Sequence, residues 1–273
     1  MKFVSFNPFR SIGFHNTTYI KAENMFQEEE KIKSASILLF PEYWQVNSLV
    51  YGWKKNIFPS ISTYHLGHDK IEMTRLFQAI VPEYMPYTKI IGYTPEANQR
   101  VIREKILSDF SFPFIAKKTR SSEGKGVYLI TNMADLNQYL QENTILYIQE
   151  YLPITRDLRV VLIGDRVFSA YWRIGQEGNF KNNLAQGGQI SYENIPEKAV
   201  ELVERIAGET GINHAGFDIA VFEDRLYLLE FNVFFGNMGL AGKSKEINNA
   251  IYRYLIDQLT SSHPASMPYT RVP

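Results

Sequence analysis

Apolar and polar residues follow two different patterns along the chain, and the pattern changes near residue 110. Before that point, short apolar runs of strand length, such as FVSF and SILLF, are separated by segments with helical spacing at about 19–33 and 68–80. Strands that alternate with helices are typical of an open α/β sheet. The first pattern therefore predicts an α/β domain.

Beyond residue 112 the apolar runs come in pairs, such as DLRVVLIG with DRVFSAYWRIG and HAGFDIAVF with DRLYLLEFN. Helical spacing is confined to about 132–142 and 196–210, and the second segment has Pro196 near its start and Gly211 just after its end. Paired strands with intervening helices indicate α+β subdomains inside a chain of α/β class. The final segment, 261–273, lacks periodicity and is predicted to be an irregular tail.

The last strand pair, GFDIAVFEDRLYLLEFN, carries polar residues where a buried strand would be apolar. A three-residue loop, EDR, would place Asp218 opposite Glu230, with Asn232 on the same face. Opposed carboxylates repel unless a positive group lies between them, and two carboxylates with an amide oxygen suit Mg²⁺. The pattern predicts a magnesium site. A solvent-facing polar stripe is the alternative, and a register shifted by one residue would place Leu229 opposite Asp218 and remove the site.

A polar loop, KTRSSEGKG, separates two other apolar runs. Its glycines, serines and basic residues could close backbone amides and lysines over phosphates. It does not match a dinucleotide-binding turn, because a strand follows it instead of a helix. A phosphate-binding loop and a charged hairpin tip both remain open at this point.

Composition limits the partners. The 273 residues are 45% hydrophobic, which is enough for cores in two or three subdomains. Lys and Arg total 29, as do Asp and Glu, so no overall field favours nucleic acid or an anionic membrane. The chain has no cysteine, its start lacks a signal-peptide pattern, and no apolar run approaches the roughly 18 residues of a membrane span. We expect a cytoplasmic protein without nucleic-acid or membrane partners.

Three other features of the sequence could be functional sites. The segment GNMGLAGKS nearly matches a phosphate loop of the form G-x-x-x-x-G-K-S, but Asn237 occupies the place of the first glycine. His65 and His68 have metal-like spacing without further donors nearby, which favours surface or capping roles. His214 is predicted to be a packed histidine. The chain has no G-x-S-x-G motif and no cysteine nucleophile, which argues against hydrolase chemistry of those types.

An ordered set of motifs over about residues 68–242 resembles the ATP-grasp superfamily, most closely its RimK branch of ribosomal-protein glutamate ligases, with glutathione synthetase nearby. The motifs are HDK, PFIAK, SSEGKGV, IQEYL, RDLRVVLIGDRV, RIGQEGNFKNNLAQGG, AGFDIAV and LLEFN. The resemblance implies an ATP-grasp fold with a short N-terminal open α/β pre-ATP-grasp domain at 1–67. The ATP-grasp region would cover 68–260, with a lid subdomain at about 110–152 and a C-terminal catalytic subdomain at about 153–260.

The resemblance also implies an ATP site. Its phosphates would meet Lys70 and Lys117, its adenine the IQEYL hinge, and its ribose Asp157. The full set implied for ATP is Lys70, Lys117, Ser122, Gly124, Glu150, Tyr151, Leu152, Asp157, Lys181 and Asn183.

The family's metal ligands correspond to Asp218, Glu230 and Asn232, which would hold magnesium, with manganese as an alternative. Arg159 and Arg173 would be catalytic, stabilising charge on the transferring phosphoryl group and on the adduct that follows. The resemblance therefore implies an ATP-dependent carboxylate–amine ligase that works through an acyl phosphate.

The implied substrates are a small-molecule or peptide carboxylate and an amine. A nucleotide-binding protein or kinase of the same fold that forms no amide bond is the alternative, and a homo-oligomer is left open. The chain departs from close relatives where Lys181 and Asn182 replace Arg-Ser, and where VFFG follows Asn232 in place of small residues and proline. The second segment would border the acceptor site, so an unusual acceptor is expected.

Overall fold

The structure is a computed structural model that describes residues 1–94, 98–119, 126–175, 189–236 and 238–260. Its strands form three sheets that follow one another along the chain, with helices between and against them. The mixed α/β class predicted from the sequence is confirmed. Among the described helices, none combines the length and apolar character needed to cross a membrane.

The first sheet is parallel and has the strand order β2-β1-β3-β4. Its strands are β1 (Phe3–Ser5), β2 (Thr17–Tyr19), β3 (Ile37–Leu39) and β4 (Ile57–Phe58). Its helices are α1 (Pro8–Ser11), α2 (Glu29–Ser34) and α3 (Tyr43–Asn47), and α3 continues into a π-helical turn, Ser48–Gly52. The helix predicted over 19–33 is wrong for most of its length. The Ile20 N–H donates to the Ser5 carbonyl at 3.0 Å, so the chain stays extended past β2 and only α2 is α-helical.

Two helices precede the second sheet where one was predicted over 68–80. These are α4 (Ile61–His68) and α5 (Lys70–Ile80). The break is at Asp69, whose carboxylate accepts the N–H groups of Ile71 and Glu72 and so caps α5. Lys70 is therefore the first residue of a helix.

The second sheet has the order β5-β8-β6-β7, with every pair antiparallel. Its elements are β5 (Thr88–Gly92), α6 (Gln99–Asp109), β6 (Phe114–Lys117), β7 (Val127–Ile130), α7 (Met133–Glu142) and β8 (Ile145–Glu150). Strand β5 and helix α6 were not predicted. Because β5 pairs with β8, we propose that the lid subdomain begins near residue 88, upstream of the segment 110–152 assigned to it from the sequence.

The third sheet is antiparallel and has the order β11-β10-β9-β12-β13. Its elements are β9 (Arg156–Ile163), β10 (Arg166–Ile174), β11 (Gln189–Ser191), α8 (Glu197–Thr210), β12 (His214–Phe222), β13 (Arg225–Asn232) and α9 (Ser244–Thr260). Helix α8 ends at Gly211, which has a φ of 74°, a left-handed conformation that glycine adopts without strain.

The turn between β12 and β13 differs from the prediction. It has two residues, Glu223 and Asp224, with φ of 50° and 59°, and Phe222 pairs with Arg225. Such a turn alone would not place Asp218 opposite Glu230. A β-bulge in β13 supplies one extra residue, because Ile219 pairs with Leu228 while Asp218 pairs with Glu230. The predicted pairing is thus confirmed, although the predicted turn is wrong.

The bulge at Leu229 also decides which way the polar side chains point. Before it, Leu226 and Leu228 pack into the core, and after it Phe231 does so. In a regular strand, residues 228 and 230 would share a face. Since the bulge changes the parity, Glu230 lies on the opposite face from that core.

Each face of the third sheet covers a core that includes N-terminal residues. One face packs with α4, α5 and α8 around Leu158 and Phe217, together with Tyr64. The other face packs with α9 through Val161, together with Phe3 and other residues of the first sheet. The part of this second face near the start of β9 carries charged residues instead, and these form the candidate site.

Candidate active site

A cavity of about 180 Å³ lies between the second and third sheets. One side is formed by β6, β7 and β8, the other by β9, β10, β12 and β13, and the chain after β8 closes one end. The lining residues are Ile115, Lys117, Val127, Gln149, Glu150, Tyr151, Leu152, Ile154, Asp157, Arg173, Asp218, Leu229 and Glu230. The cavity therefore joins apolar walls to a charged end.

At the charged end, two arginines bind two aspartates across neighbouring strands. The register places Arg159 beside Asp218 and Arg173 beside Asp157. Arg159 donates from Nε to Asp218 Oδ1 at 2.6 Å and from Nη2 to Oδ2 at 3.3 Å. Arg173 donates from Nε to Asp157 Oδ1 at 2.6 Å, and its Nη2 lies 3.1 Å from Asp218 Oδ1. Asp218 is thus held by both arginines.

Glu230 is paired with Lys70, and Lys117 acts on it electrostatically. Lys70 Nζ, at the start of α5, lies 2.7 Å from Glu230 Oε2. Lys117 ends β6, and its ammonium lies 5.4 Å from the ring centre of Tyr147. Burial acts to raise the pKa of Glu230, but Lys70 and Lys117 outweigh it and the net pKa is lowered, so the carboxylate is ionised.

Burial lowers the pKa of Lys117 to about 8, so this lysine is protonated at neutral pH. Burial and the nearby Asp218 raise the pKa of Asp157 to about 6 against the effect of Arg173. Among the described residues, the cluster has four basic and three acidic side chains. They are Lys70, Lys117, Arg159 and Arg173 against Asp157, Asp218 and Glu230. The expected carboxylate repulsion is thus neutralised, and the surplus positive charge favours an anionic ligand.

The other end of the cavity is shaped by the hinge after β8. The Glu150 carboxylate accepts the Tyr87 N–H at 2.7 Å, and the Glu150 N–H donates to the Tyr87 carbonyl at 2.9 Å. These bonds attach the hinge to the start of β5. The apolar side chains of Ile115 and Val127 face it across the cavity. This end can enclose a flat, largely apolar group such as a nucleobase.

Eleven of the fifteen site residues predicted from the sequence lie in the described part of the chain, and all eleven come together here. Those that line the cavity are Lys117, Glu150, Tyr151, Leu152, Asp157, Arg173, Asp218 and Glu230. Lys70 and Arg159 bind lining residues directly, and Asn232 Nδ2 lies 3.5 Å from Asp218 Oδ2. The other four, Ser122, Gly124, Lys181 and Asn183, lie outside the described residues, as do most of the predicted phosphate loop and the tail.

Some residues of the site were missed. Ile115 and Gln149 pair in register on β6 and β8, and both line the cavity. Ile115 precedes Lys117 by two residues on one strand, so period-two alternation could have found it. Leu229 was missed because its position in the cavity wall depends on the bulge, and the sequence pattern of this strand does not predict a bulge.

The residues predicted to hold magnesium are two carboxylates and an amide, which are the oxygen donors that this ion prefers. Asp218 and Glu230 are opposed across two strands, and the Asn232 amide lies on the same side. Magnesium is commonly held by one or two carboxylates together with substrate phosphates. In the described residues no group of three or more His, Asp or Glu side chains is arranged to hold a metal ion. His65 instead contacts Asn47, and His68 packs against Tyr43.

Comparison with known proteins agrees with this geometry. The family model for the RimK-like ATP-grasp domain matches residues 68–259. The tetrahydromethanopterin:alpha-L-glutamate ligase of Methanocaldococcus jannaschii is 35% identical over 130 residues, which cover 46% of this chain and 44% of that protein. The coenzyme gamma-F420-2:alpha-L-glutamate ligase of the same organism is 28% identical over 224 residues, covering 77% of this chain and 75% of that protein.

The chain spans about half the length of several relatives that it matches. Among solved structures, the D-alanine–D-alanine ligase of Bacillus anthracis in complex with ATP superposes with a TM-score of 0.65 and 10% identity, covering 94% of this chain and 95% of that one. This likeness concerns the fold. The family model covers well over half of the chain, and the chain therefore belongs to the RimK-like ATP-grasp family.

Proposed function

We propose that this chain is an ATP-dependent carboxylate–amine ligase that releases ADP and phosphate. The observation that carries the proposal is the positively charged cluster at one end of the cavity, in which Asp218 and Glu230 are opposed in register and held by basic side chains. Two relatives named above are glutamate ligases, which favours an amino acid or a peptide as substrate. A cytoplasmic location and the absence of nucleic-acid and membrane partners stay predictions.

In this proposal Lys70 and Lys117 bind the ATP phosphates, and the hinge at Tyr151 and Leu152 borders the adenine. Ser122, Gly124, Lys181 and Asn183 are assigned to phosphates through the family resemblance alone. Asp157 was assigned to the ribose, but its carboxylate receives the Arg173 Nε–H at 2.6 Å. We therefore assign Asp157 Oδ1 to holding Arg173 in place, and the ribose assignment stays a prediction for Oδ2.

The reaction requires control of negative charge more than it requires proton transfer. A substrate carboxylate oxygen bonds to the γ-phosphorus while the bond from that phosphorus to the ADP oxygen breaks. The amine then bonds to the acyl carbon, phosphate leaves with the former carboxylate oxygen, and the nitrogen loses a proton. Arg173 would stabilise charge on the transferring group, and its rigid position between Asp157 and Asp218 means that little reorganisation is needed.

Arg159 is placed to act on the second step. It uses Nε and Nη2 to hold Asp218, and no hydrogen bond engages Nη1 in the described part of the chain. We assign Nη1 to the oxygen that becomes negative when the amine adds. Magnesium, held by Asp218, Glu230 and Asn232, would supply positive charge against phosphate oxygens.

The test is an ADP-release screen over amino acids and peptides taken in pairs, followed by isotope analysis of the first active pair. With ¹⁸O in the substrate carboxylate, one labelled oxygen should appear in the released phosphate. Label in AMP would show an adenylating enzyme, and phosphate retained on a stable product would show a kinase. ATP binding without turnover of any pair would favour a nucleotide-binding protein.

A further inference from the structure

Arg10, on α1, has no anionic partner within the part of the chain that the structure describes. Its Nη2 donates to the Phe235 carbonyl at 3.2 Å, and its guanidinium lies 5.0 Å from the ring centre of Phe234. No carboxylate among the described residues forms an ion pair with it. Burial lowers the pKa of Arg10, with Tyr64 as the other influence, yet an arginine stays protonated in a protein. A partly buried positive charge is therefore left uncompensated by the residues that the structure describes.

The surroundings hold this charge in place. Phe234 meets the rings of Tyr43 and Tyr64 edge-to-face at 6.1 and 5.8 Å. Tyr64 is fully buried and donates its hydroxyl to the Pro41 carbonyl at 2.6 Å. Burying a cation without a partner is costly, and a guanidinium of fixed orientation pairs well with a carboxylate. The aromatic support thus prepares Arg10 for an anion from outside the chain.

Arg10 does not line the nucleotide cavity, but Phe235 connects it to Arg159. A Cβ at Gly216 would meet Arg159 Nη1 at 2.7 Å and Phe235 Cβ at 2.8 Å. The side chain of Phe235 is therefore a neighbour of Arg159 across Gly216, while its carbonyl receives Arg10. One residue thus separates the Arg10 guanidinium from the arginine assigned to the second step.

We propose that Arg10 binds a substrate carboxylate that is not consumed in the reaction. The substrate would then be an acidic amino acid or a peptide with a second carboxylate, a few bonds from the reacting centre. This rests on the proposed function, since it places the second carboxylate beside a ligase site. The retained carboxylate belongs to either the donor or the amine acceptor, and both have the same chemistry at Arg10.

The first test is equilibrium binding, which does not depend on turnover. Calorimetry with magnesium and a non-hydrolysable ATP analogue would compare acidic amino acids and peptides with their primary-amide counterparts, beginning with L-glutamate and L-glutamine. Arg10→Gln should weaken binding of the acid by about 10–100-fold, the loss of a hydrogen-bonded charge pair, and leave the amide unchanged. Arg10→Lys should restore part of the affinity. The matched control is Arg100→Gln, at an exposed arginine paired with Glu104.

The second test is steady-state turnover with the active pair from the screen, replacing each retained carboxylate by an amide in donor and acceptor separately. Arg10→Gln should raise KM for the acid form of one partner, with kcat and the KM for ATP within about twofold of wild type, because Arg10 contacts neither the phosphates nor the reacting atoms. An equal effect on acid and amide forms would assign Arg10 a structural role and overturn the proposal, as would a wild-type protein that binds no acidic ligand. Acid binding without turnover would instead overturn the ligase function alone.

Discussion

Lys117 and His214 are both buried basic side chains, and burial lowers the pKa of each. Lys117 is under the electrostatic influence of Glu230 and keeps its proton at neutral pH. His214 lies among aromatic rings and stacks on Phe235 at 4.9 Å, so it is neutral. Its Nδ1 lies 3.0 Å from the Val233 carbonyl, which makes Nδ1 the donor. The same physical effect thus leaves Lys117 charged and His214 neutral at neutral pH.

Lys117 should make ATP binding depend on pH. Its pKa of about 8 belongs to the free site, and phosphate oxygens would raise it in the complex. As pH rises above about 8 the free lysine loses a proton that the complex must regain, so Kd should increase by up to about tenfold per pH unit. Titrations at pH 7, 8 and 9 measure this. Lys117→Arg, which stays charged, should flatten the profile, and an equally steep rise in that variant would contradict the assignment.

His214 should make folding sensitive to acid. Its folded pKa of about 3 is below the ordinary value of 6.5, so the unfolded chain binds more protons between those values. Stability is therefore retained above pH 6.5 and lost as pH falls, by about 1.4 kcal/mol per unit. Urea unfolding of wild type and His214→Asn at pH 7 and 5 measures the difference. Wild type should lose about 2 kcal/mol more than the variant, and equal losses would contradict this.

At the scale of elements, the strands that carry the site were largely predictable, because their apolar runs are long and end in turn residues. The pairing of Asp218 with Glu230 was correct although two local features differ from expectation, since the two-residue turn and the bulge offset each other. Strand β5 is short and half-buried, so its pattern is weak. The contact of Arg10 with Phe235 joins residues far apart in the chain, so a pattern of neighbouring residues could not predict it.

The core of the second sheet contains two tyrosines whose hydroxyl groups differ in hydrogen bonding. The Tyr93 hydroxyl is buried without a hydrogen-bond partner among the described residues. The Tyr139 hydroxyl donates to the Lys117 carbonyl at 2.8 Å and receives the Tyr147 N–H at 3.0 Å. Tyr93→Phe should leave the free energy of unfolding unchanged or raise it, whereas Tyr139→Phe should lower it by about 1–3 kcal/mol. Urea unfolding of both variants measures these free energies. A larger loss of stability for Tyr93→Phe than for Tyr139→Phe would contradict the assignment.

At the scale of the molecule, the family match and the packing have different boundaries. The RimK-like domain begins at residue 68, yet both cores of the third sheet include residues before it. Tyr64 is fully buried against one face, and Phe58 is fully buried against the other. The segment 1–67, predicted as a domain, therefore packs its apolar side chains into the same cores as the segment that follows it.

A fragment of residues 68–260 should consequently fail to fold cooperatively. Without the first sheet, α9 and one face of the third sheet would expose apolar side chains to water. Circular dichroism during urea unfolding of the fragment should show a broad transition. Addition of a separate 1–67 fragment should restore a sharp one, because it supplies the missing surfaces. A sharp transition of the 68–260 fragment by itself, at the midpoint of the whole chain, would show independent domains.

The bulge at Leu229 gives β13 one residue more than its ladder uses, because Leu228 and Glu230 pair with the consecutive residues Ile219 and Asp218. Substitutions at 229 leave this pairing in place, so mutation can explore different cavity walls there while both carboxylates stay opposed. Deletion of this one codon would leave a strand of regular alternation, with Leu228 and Phe231 still on the core face and Glu230 still on the opposite face. Descent of this strand is thus open both to substitution at residue 229 and to its loss.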